Sequence, residues 1–187
     1  MLNKKDFLKY ASKLAFPIMI QNLIGTLVNI ADTVMLGYVS QTAMSASSLA
    51  NQYTFVLFCI YYGMATGTSV LCAQYWGKGD KKTVEKILGL AERISLIVSA
   101  VFFAVSFAMP TTIMKIFTNS PETIASGGEY LRVISFSFVF MGFSQVFMSA
   151  LRSIGKIILP SVTYIVSLCV NVICNACLLY TSDAADD

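Results

Sequence analysis

With 187 residues, 56% hydrophobic and only 12% charged side chains, and a mean hydropathy of +0.70, this chain carries more apolar surface than one soluble core can hide, and reads as a membrane protein. Histidine is absent, which removes the usual general base, the commonest transition-metal ligand and the near-neutral pH switch, so catalysis is disfavoured. The net charge of +3 comes from 13 basic residues in short clusters between apolar runs, a pattern of topology signals rather than a nucleic-acid face.

Lys4, Lys5 and Lys9 precede an apolar stretch in the manner of a signal peptide. That stretch is too long for one and contains Asn22, Asn29 and Asp32, so it is read as a retained span. Five stretches reach the roughly 20 residues that a helical crossing needs, at about 14–38, 49–75, 94–114, 130–151 and 157–180. The fold class predicted is therefore all-α, with five transmembrane helices. Between them, 39–48 reads as a loop without basic residues, and Gly77-Lys78-Gly79-Asp80 punctuates the second connection, with Asp80 as N-cap of a helix entering Lys81. Ser120 caps and Pro121 opens a helix in the third connection. Gly155 and Pro160 bracket the start of the last helix.

Basic residues set the orientation. Lys4, Lys5, Lys9, Lys13, Lys78, Lys81, Lys82, Lys86, Arg93, Arg152 and Lys156 fall on one side of the predicted topology, and Lys115 and Arg132 on the other. The bias puts the N-terminus in the cytoplasm. Of the five cysteines, Cys59, Cys72, Cys169 and Cys174 lie in apolar runs and suggest no disulfide framework; Cys174-Asn175-Ala176-Cys177 lacks the context of a redox motif. The segment 177–187 resembles the conceptual translation of a sequencing adapter and is read as a non-native tail, leaving 1–176 as the natural portion.

Asp32 is the one acidic side chain inside any of the five apolar stretches. A carboxylate at the bilayer centre costs about 3 kcal/mol on insertion scales and marks ion or proton handling. On a helix Gln21, Gly25, Asn29 and Asp32 fall within an arc of roughly 80°, a polar stripe that belongs against a cavity or another helix. The fifth stretch repeats the pattern with Tyr164, Ser167, Asn171 and Asn175. Asp32 follows Lys13 by 19 residues and Asn175 follows Lys156 by 19, so each lies roughly 28 Å along its helix. At a common depth, the amides could orient the carboxylate or give oxygen ligands to a hard cation such as sodium; the alternative is a purely structural amide pair. Pro17 marks a bend and a candidate hinge. Gly63 and Gly67, in G-x-x-x-G spacing, predict close helix packing. The aromatic run Phe136, Phe138, Phe140, Phe143 and Phe147 is read as lipid-facing bulk.

The string Phe16-Pro17 through Val28-Asn29-Ile30-Ala31-Asp32-Thr33-Val34-Met35-Leu36-Gly37 resembles the first helix of multidrug and toxic compound extrusion (MATE) transporters. Gly67-Thr68-Ser69-Val70 with Ala73-Gln74-Tyr75-Trp76-Gly77-Lys78-Gly79-Asp80 is similar to the end of that family's second helix and its glycine turn. Ala150-Leu151-Arg152-Ser153-Ile154-Gly155 with Pro160 is similar to the junction of its fourth and fifth helices. The resemblance implies a truncated six-helix N-terminal lobe that lacks its C-terminal lobe, in the cytoplasmic membrane. It implies an antiporter, not an enzyme, exporting cationic drugs or other small organic molecules, with H+ or Na+ as coupling ion and no further cofactor. Asp32 matches the ion-coupling acid, Asn171 and Asn175 match a fifth-helix pair completing the site, and Tyr130 matches a tyrosine at the outer end of the fourth helix. The alternatives are a lipid-linked sugar flippase of the related superfamily, expected to show a cationic cavity, and a non-transporting scaffold.

Overall fold

The computed structural model describes residues 12, 15–16, 19–20, 22–31, 33–34 and 40–186, with side chains described as far as 177. The described residues form helices α1 (Asn22–Ala31), α2 (Gln41–Gly77), α3 (Lys81–Ala108), α4 (Pro110–Phe117), α5 (Pro121–Ile134), α6 (Phe138–Ser153) and α7 (Ile158–Asp186). Contacts divide the chain into two compact units: Met1–Met35 with Lys156–Asp187, and Leu36–Gly155. Among the described residues four helical segments are long and apolar enough to cross a membrane: Gln41–Gly77, Lys81–Ala108, Pro121–Ser153 and Ile158–Cys177. The predicted first span contributes the shorter α1, and much of the rest of 14–38 lies outside the described residues.

Local chemistry explains where the helices start and stop. Ser40 is extended and its hydroxyl accepts from the Ala43 amide, so α2 begins where the sequence reading placed a loop at 39–48. Asp80 caps α3 through the Thr83 amide. Ser120 caps α5, with Pro121 in its first turn. Gly79 and Gly155 adopt φ of 79° and 80°, the left-handed turn that ends α2 and α6 and that a side chain would strain. Pro110 has no amide hydrogen to continue α3, so the predicted span 94–114 breaks at Met109, and α4 starts anew. Between α5 and α6 the Ser135–Ser137 turn tightens to 3-10 geometry. There Ser135 and Ser137 donate to the carbonyls of Arg132 and Ile134, each at 2.7 Å, a back-bonding that bends membrane helices.

In the Leu36–Gly155 unit, α2 is the spine. Three buried clusters lie along it: Ala50 with Ile113, Met114 and Leu131; Leu57 and Tyr61 with Phe138; and Cys72 with Val84 and Ala150. The last cluster gathers the C-terminal ends of α2 and α6 and the N-terminal end of α3, so Lys78, Lys81, Lys82 and Arg152 all belong to one end of the unit. Two packing expectations change. A Cβ on Gly63 or Gly67 would meet nothing within 4 Å, so the G-x-x-x-G pair faces outward; the buried stripe is Ala46, Ala50, Leu57, Tyr61, Ala65, Thr68 and Cys72. Close approach occurs instead at Gly142 of α6, where an added Cβ would lie 2.8 Å from the Tyr61 ring. In the aromatic run, Phe136, Phe140 and Phe143 are exposed as expected, but Phe138 is fully buried.

Buried hydroxyls need partners where water is scarce. Tyr61 bonds Ser99 Oγ at 2.6 Å and donates to the Phe138 carbonyl at 3.1 Å. Ser106 donates to Tyr53 at 3.2 Å, and Ser69 pairs with Ser149 at 2.6 Å. Ala91, Ser95, Ser99 and Ser106 make the buried stripe of α3 beyond Val84, small side chains that admit neighbouring helices closely.

Candidate functional site

Gly25 of the α1 stripe and Tyr164 of the α7 stripe come together. Gly25 is buried on an otherwise largely exposed α1, and a Cβ there would collide with the Tyr164 hydroxyl of α7. Glycine thus sits where the phenol of one stripe closes onto the backbone of the other. Asn29, one turn further, is exposed, and its carbonyl accepts from Thr33 Oγ1 at 2.8 Å. Thr26 donates in the same way to the Asn22 carbonyl at 2.9 Å.

On α7, Ser167 donates to the Thr163 carbonyl at 2.9 Å, which commits its proton to the helix and leaves its oxygen as an acceptor. Asn175 Nδ2 donates to Asn171 Oδ1 at 3.3 Å. The i, i+4 spacing thus brings the amides together as a pair able to offer both N–H donors and carbonyl oxygens. Tyr130 belongs to the other unit, where its hydroxyl donates to Asn51 Oδ1 at 3.5 Å. Pro17, Gln21 and Asp32 lie outside the described residues.

The sequence reading missed a second polar feature. The charged segment Lys81–Arg93 is continuous with the apolar part of α3, so Glu92 is a helix residue, half-buried, and its Oε1 is buried without a hydrogen-bond partner. With Arg93 and Ser95 it lines a groove of about 450 Å³. The Ser95 hydroxyl is likewise buried and unpartnered. The remaining wall is apolar, Leu96 from α3 and Val139, Phe140 and Phe143 from α6. A charge beside the end of an apolar run is easily assigned to a loop; the uninterrupted helical hydrogen bonding is what moves Glu92 into the wall of a groove.

The MatE family model matches residues 17–177. The "Probable multidrug resistance protein NorM" of Thermotoga maritima is 29% identical over 151 residues, covering 80% of this chain and 32% of that protein. The NorM protein of Rhizobium meliloti is 27% identical over 157 residues, covering 82% and 32%. Among solved structures, one described as a MATE in complex with MaD3S superposes with a TM-score of 0.83 at 21% identity, over 90% of this chain and 38% of that one. The chain therefore spans about a third of the length of these relatives.

Proposed function

This chain belongs to the MatE family, and we propose that it forms the first lobe of an ion-coupled exporter of cationic or other small organic molecules. It is an all-α, multi-pass protein of the cell membrane. The orientation with the N-terminus in the cytoplasm rests on the distribution of basic residues, and a second lobe supplied by further chain completes the transport path.

The observation that carries this reading is the closure of Tyr164 onto Gly25. It supports a register in which the polar stripe of α1 lies against that of α7. Asp32 lies seven residues beyond Gly25, and Asn171 seven beyond Tyr164. For two helices leaving the same membrane face, as odd-numbered spans do, equal offsets mean equal depth at 1.5 Å per residue. In our reading the Asp32 carboxylate belongs at the level of the Asn171–Asn175 pair, with Asn29 and Ser167 about one turn toward the cytoplasmic side as further oxygen acceptors. The amides orient the carboxylate or ligate a sodium ion through their carbonyl oxygens.

Coupling follows from charge. A bare carboxylate away from water is costly, and a bound proton or Na+ neutralises it. The ion thereby favours one packing of the lobe, and its release favours another with different affinity for an organic cation. Carrying one elementary charge inward across the whole field yields about 2.3 kcal/mol per 100 mV, enough to drive substrate uphill. The Asn171–Asn175 pair contributes no titratable group, so the carboxylate alone is charged and either ion can serve.

The test is Asp32→Asn in the full-length protein that carries this chain, reconstituted in vesicles. Efflux of a cationic dye driven by a proton or sodium gradient is lost while expression is retained. Undiminished efflux refutes the assignment, and the gradient that drives the unaltered protein identifies the ion.

A further inference from the structure

We propose that the groove between α3 and α6 binds a phospholipid with a primary-ammonium headgroup, phosphatidylethanolamine, through Glu92 and Arg93. The inference stands on that groove alone and is independent of the transport reading.

The groove offers one acid and one base above an apolar trough. Glu92 and Arg93 are consecutive in α3, and consecutive helical residues do not face one another; neither neutralises the other, and Glu92 Oε1 is buried without a partner. An ammonium carrying three N–H donors satisfies that oxygen through a charge-assisted hydrogen bond. The phosphate a few bonds away in the same headgroup meets the exposed Arg93. Lys82 and Lys86 border an adjoining depression that also includes Arg93, so the phosphate side of the site is the more cationic. Leu96, Phe140 and Phe143, all more than half exposed, give an acyl chain its surface.

Depth agrees with a headgroup. Beyond Arg93, α3 runs from Ile94 to Ala108 without a charge, about 22 Å of apolar helix, while toward its start it carries Lys81, Lys82, Glu85 and Lys86. The pair thus marks the boundary between hydrocarbon and headgroup layers, on the side of the unit that holds Lys78 and Arg152.

The other occupants fit worse. An anionic lipid without an ammonium leaves Glu92 unpaired and adds like charge beside it. A choline headgroup has a cation but no N–H to donate. An organic cation without a phosphate leaves Arg93 unmatched.

The experiment is native mass spectrometry of the purified chain in detergent, exposed to equimolar phosphatidylethanolamine, phosphatidylcholine and phosphatidylglycerol of the same acyl composition. Phosphatidylethanolamine is expected to be retained about tenfold or more over phosphatidylcholine, in keeping with one charge-assisted hydrogen bond. The isosteric Glu92→Gln removes that preference, and Arg93→Gln weakens both lipids alike. Glu85→Gln, which borders the adjoining depression but not the groove, leaves the preference intact. Val139→Trp, which fills the trough, lowers retention of all three. Equal retention of ethanolamine and choline lipids, a preference for phosphatidylglycerol, the same loss in Glu85→Gln as in Glu92→Gln, or undiminished binding in Val139→Trp overturns the proposal. Circular dichroism of each variant reports retained helix.

Discussion

Replacing Gly142 by alanine tests the packing at the centre of the α2–α3–α6 contact. The new Cβ would lie 2.5 Å from Ser95 Oγ and 2.8 and 2.9 Å from two atoms of the Tyr61 ring. Carbon atoms rest at about 3.5–4.0 Å, so one helix must withdraw by roughly 0.7 Å or the ring must turn. The ring has little freedom, because Tyr61 is fully buried and bonded to Ser99 and to the Phe138 carbonyl. Overpacking of this kind costs about 1–3 kcal/mol. Loss of a Tyr61 hydrogen bond adds about 0.5–1.5 kcal/mol, and the better helix propensity of alanine returns about 1 kcal/mol. Gly142→Ala is therefore destabilising by about 1–3 kcal/mol. Gly63→Ala, with nothing within 4 Å of its Cβ, is neutral or stabilising by up to about 1 kcal/mol. Reversible unfolding of both variants in mixed micelles gives the comparison directly. Two alanines agreeing within about 0.5 kcal/mol would refute the close approach at Gly142, since the same substitution would then be blind to the difference in space.

Two further outcomes are expected. Tyr61→Phe removes the hydroxyl shared by Ser99 and Phe138 and should cost about 0.5–2 kcal/mol; a double-mutant cycle with Ser99→Ala reads the coupling, and zero coupling means the bond contributes nothing to stability. Asp80 titrates below the ordinary carboxylate range, chiefly because the Thr83 hydroxyl, and then the Thr83 amide, donate to its charged form. A carboxyl lowered on folding lends stability that is present above its unfolded value and lost as pH falls through its folded one. The first turn of α3 should therefore hold at neutral pH and loosen only in acid below the usual Asp value, seen as faster amide exchange at Thr83 and Val84. Asp80→Asn keeps a cap and should abolish that pH dependence.

What the sequence revealed depends on the range of the interaction concerned. The caps at Asp80 and Ser120, with Pro121 in the first turn, involve neighbours three residues apart and were readable directly. Long apolar helices were readable as well, because apolar length alone specifies them, although the predicted 94–114 breaks at Met109. Their ends were less so. Ser40 starts α2 through a single serine hydroxyl in a stretch without strong punctuation, and although Asp80 announced a helix entering Lys81, the charge of Lys81–Arg93 hid its continuity with the apolar part of α3. Which face of a helix packs is a tertiary matter: Gly63 and Gly67 have the spacing of a contact, but the neighbours lie on the side of Ala65 and Thr68. At the candidate site, the stripes on α1 and α7 followed from periodicity, whereas the closure of Tyr164 onto Gly25 joins residues distant in the chain. Glu92 escaped notice because its significance depends on Val139 and Phe140, which come from a different helix.

The length of α2 has a consequence for the surface it presents. At 1.5 Å per residue its 37 residues measure about 55 Å, against a hydrocarbon layer of about 30 Å. Tyr75 and Trp76 near its C-terminal end stand beneath lysine ammoniums at 5.3 and 5.7 Å, on the headgroup side of the boundary that Glu92 and Arg93 mark in α3. The surplus is therefore divided between that end and the opposite one, where Gln41–Gln52 holds three serines, two glutamines and an asparagine but a single leucine. This rod is consequently a mast stepped through the bilayer: both ends reach polar surroundings, and at the N-terminal one Ala46 and Ala50 stay packed while Gln41, Ser45, Ser48, Asn51 and Gln52 face outward.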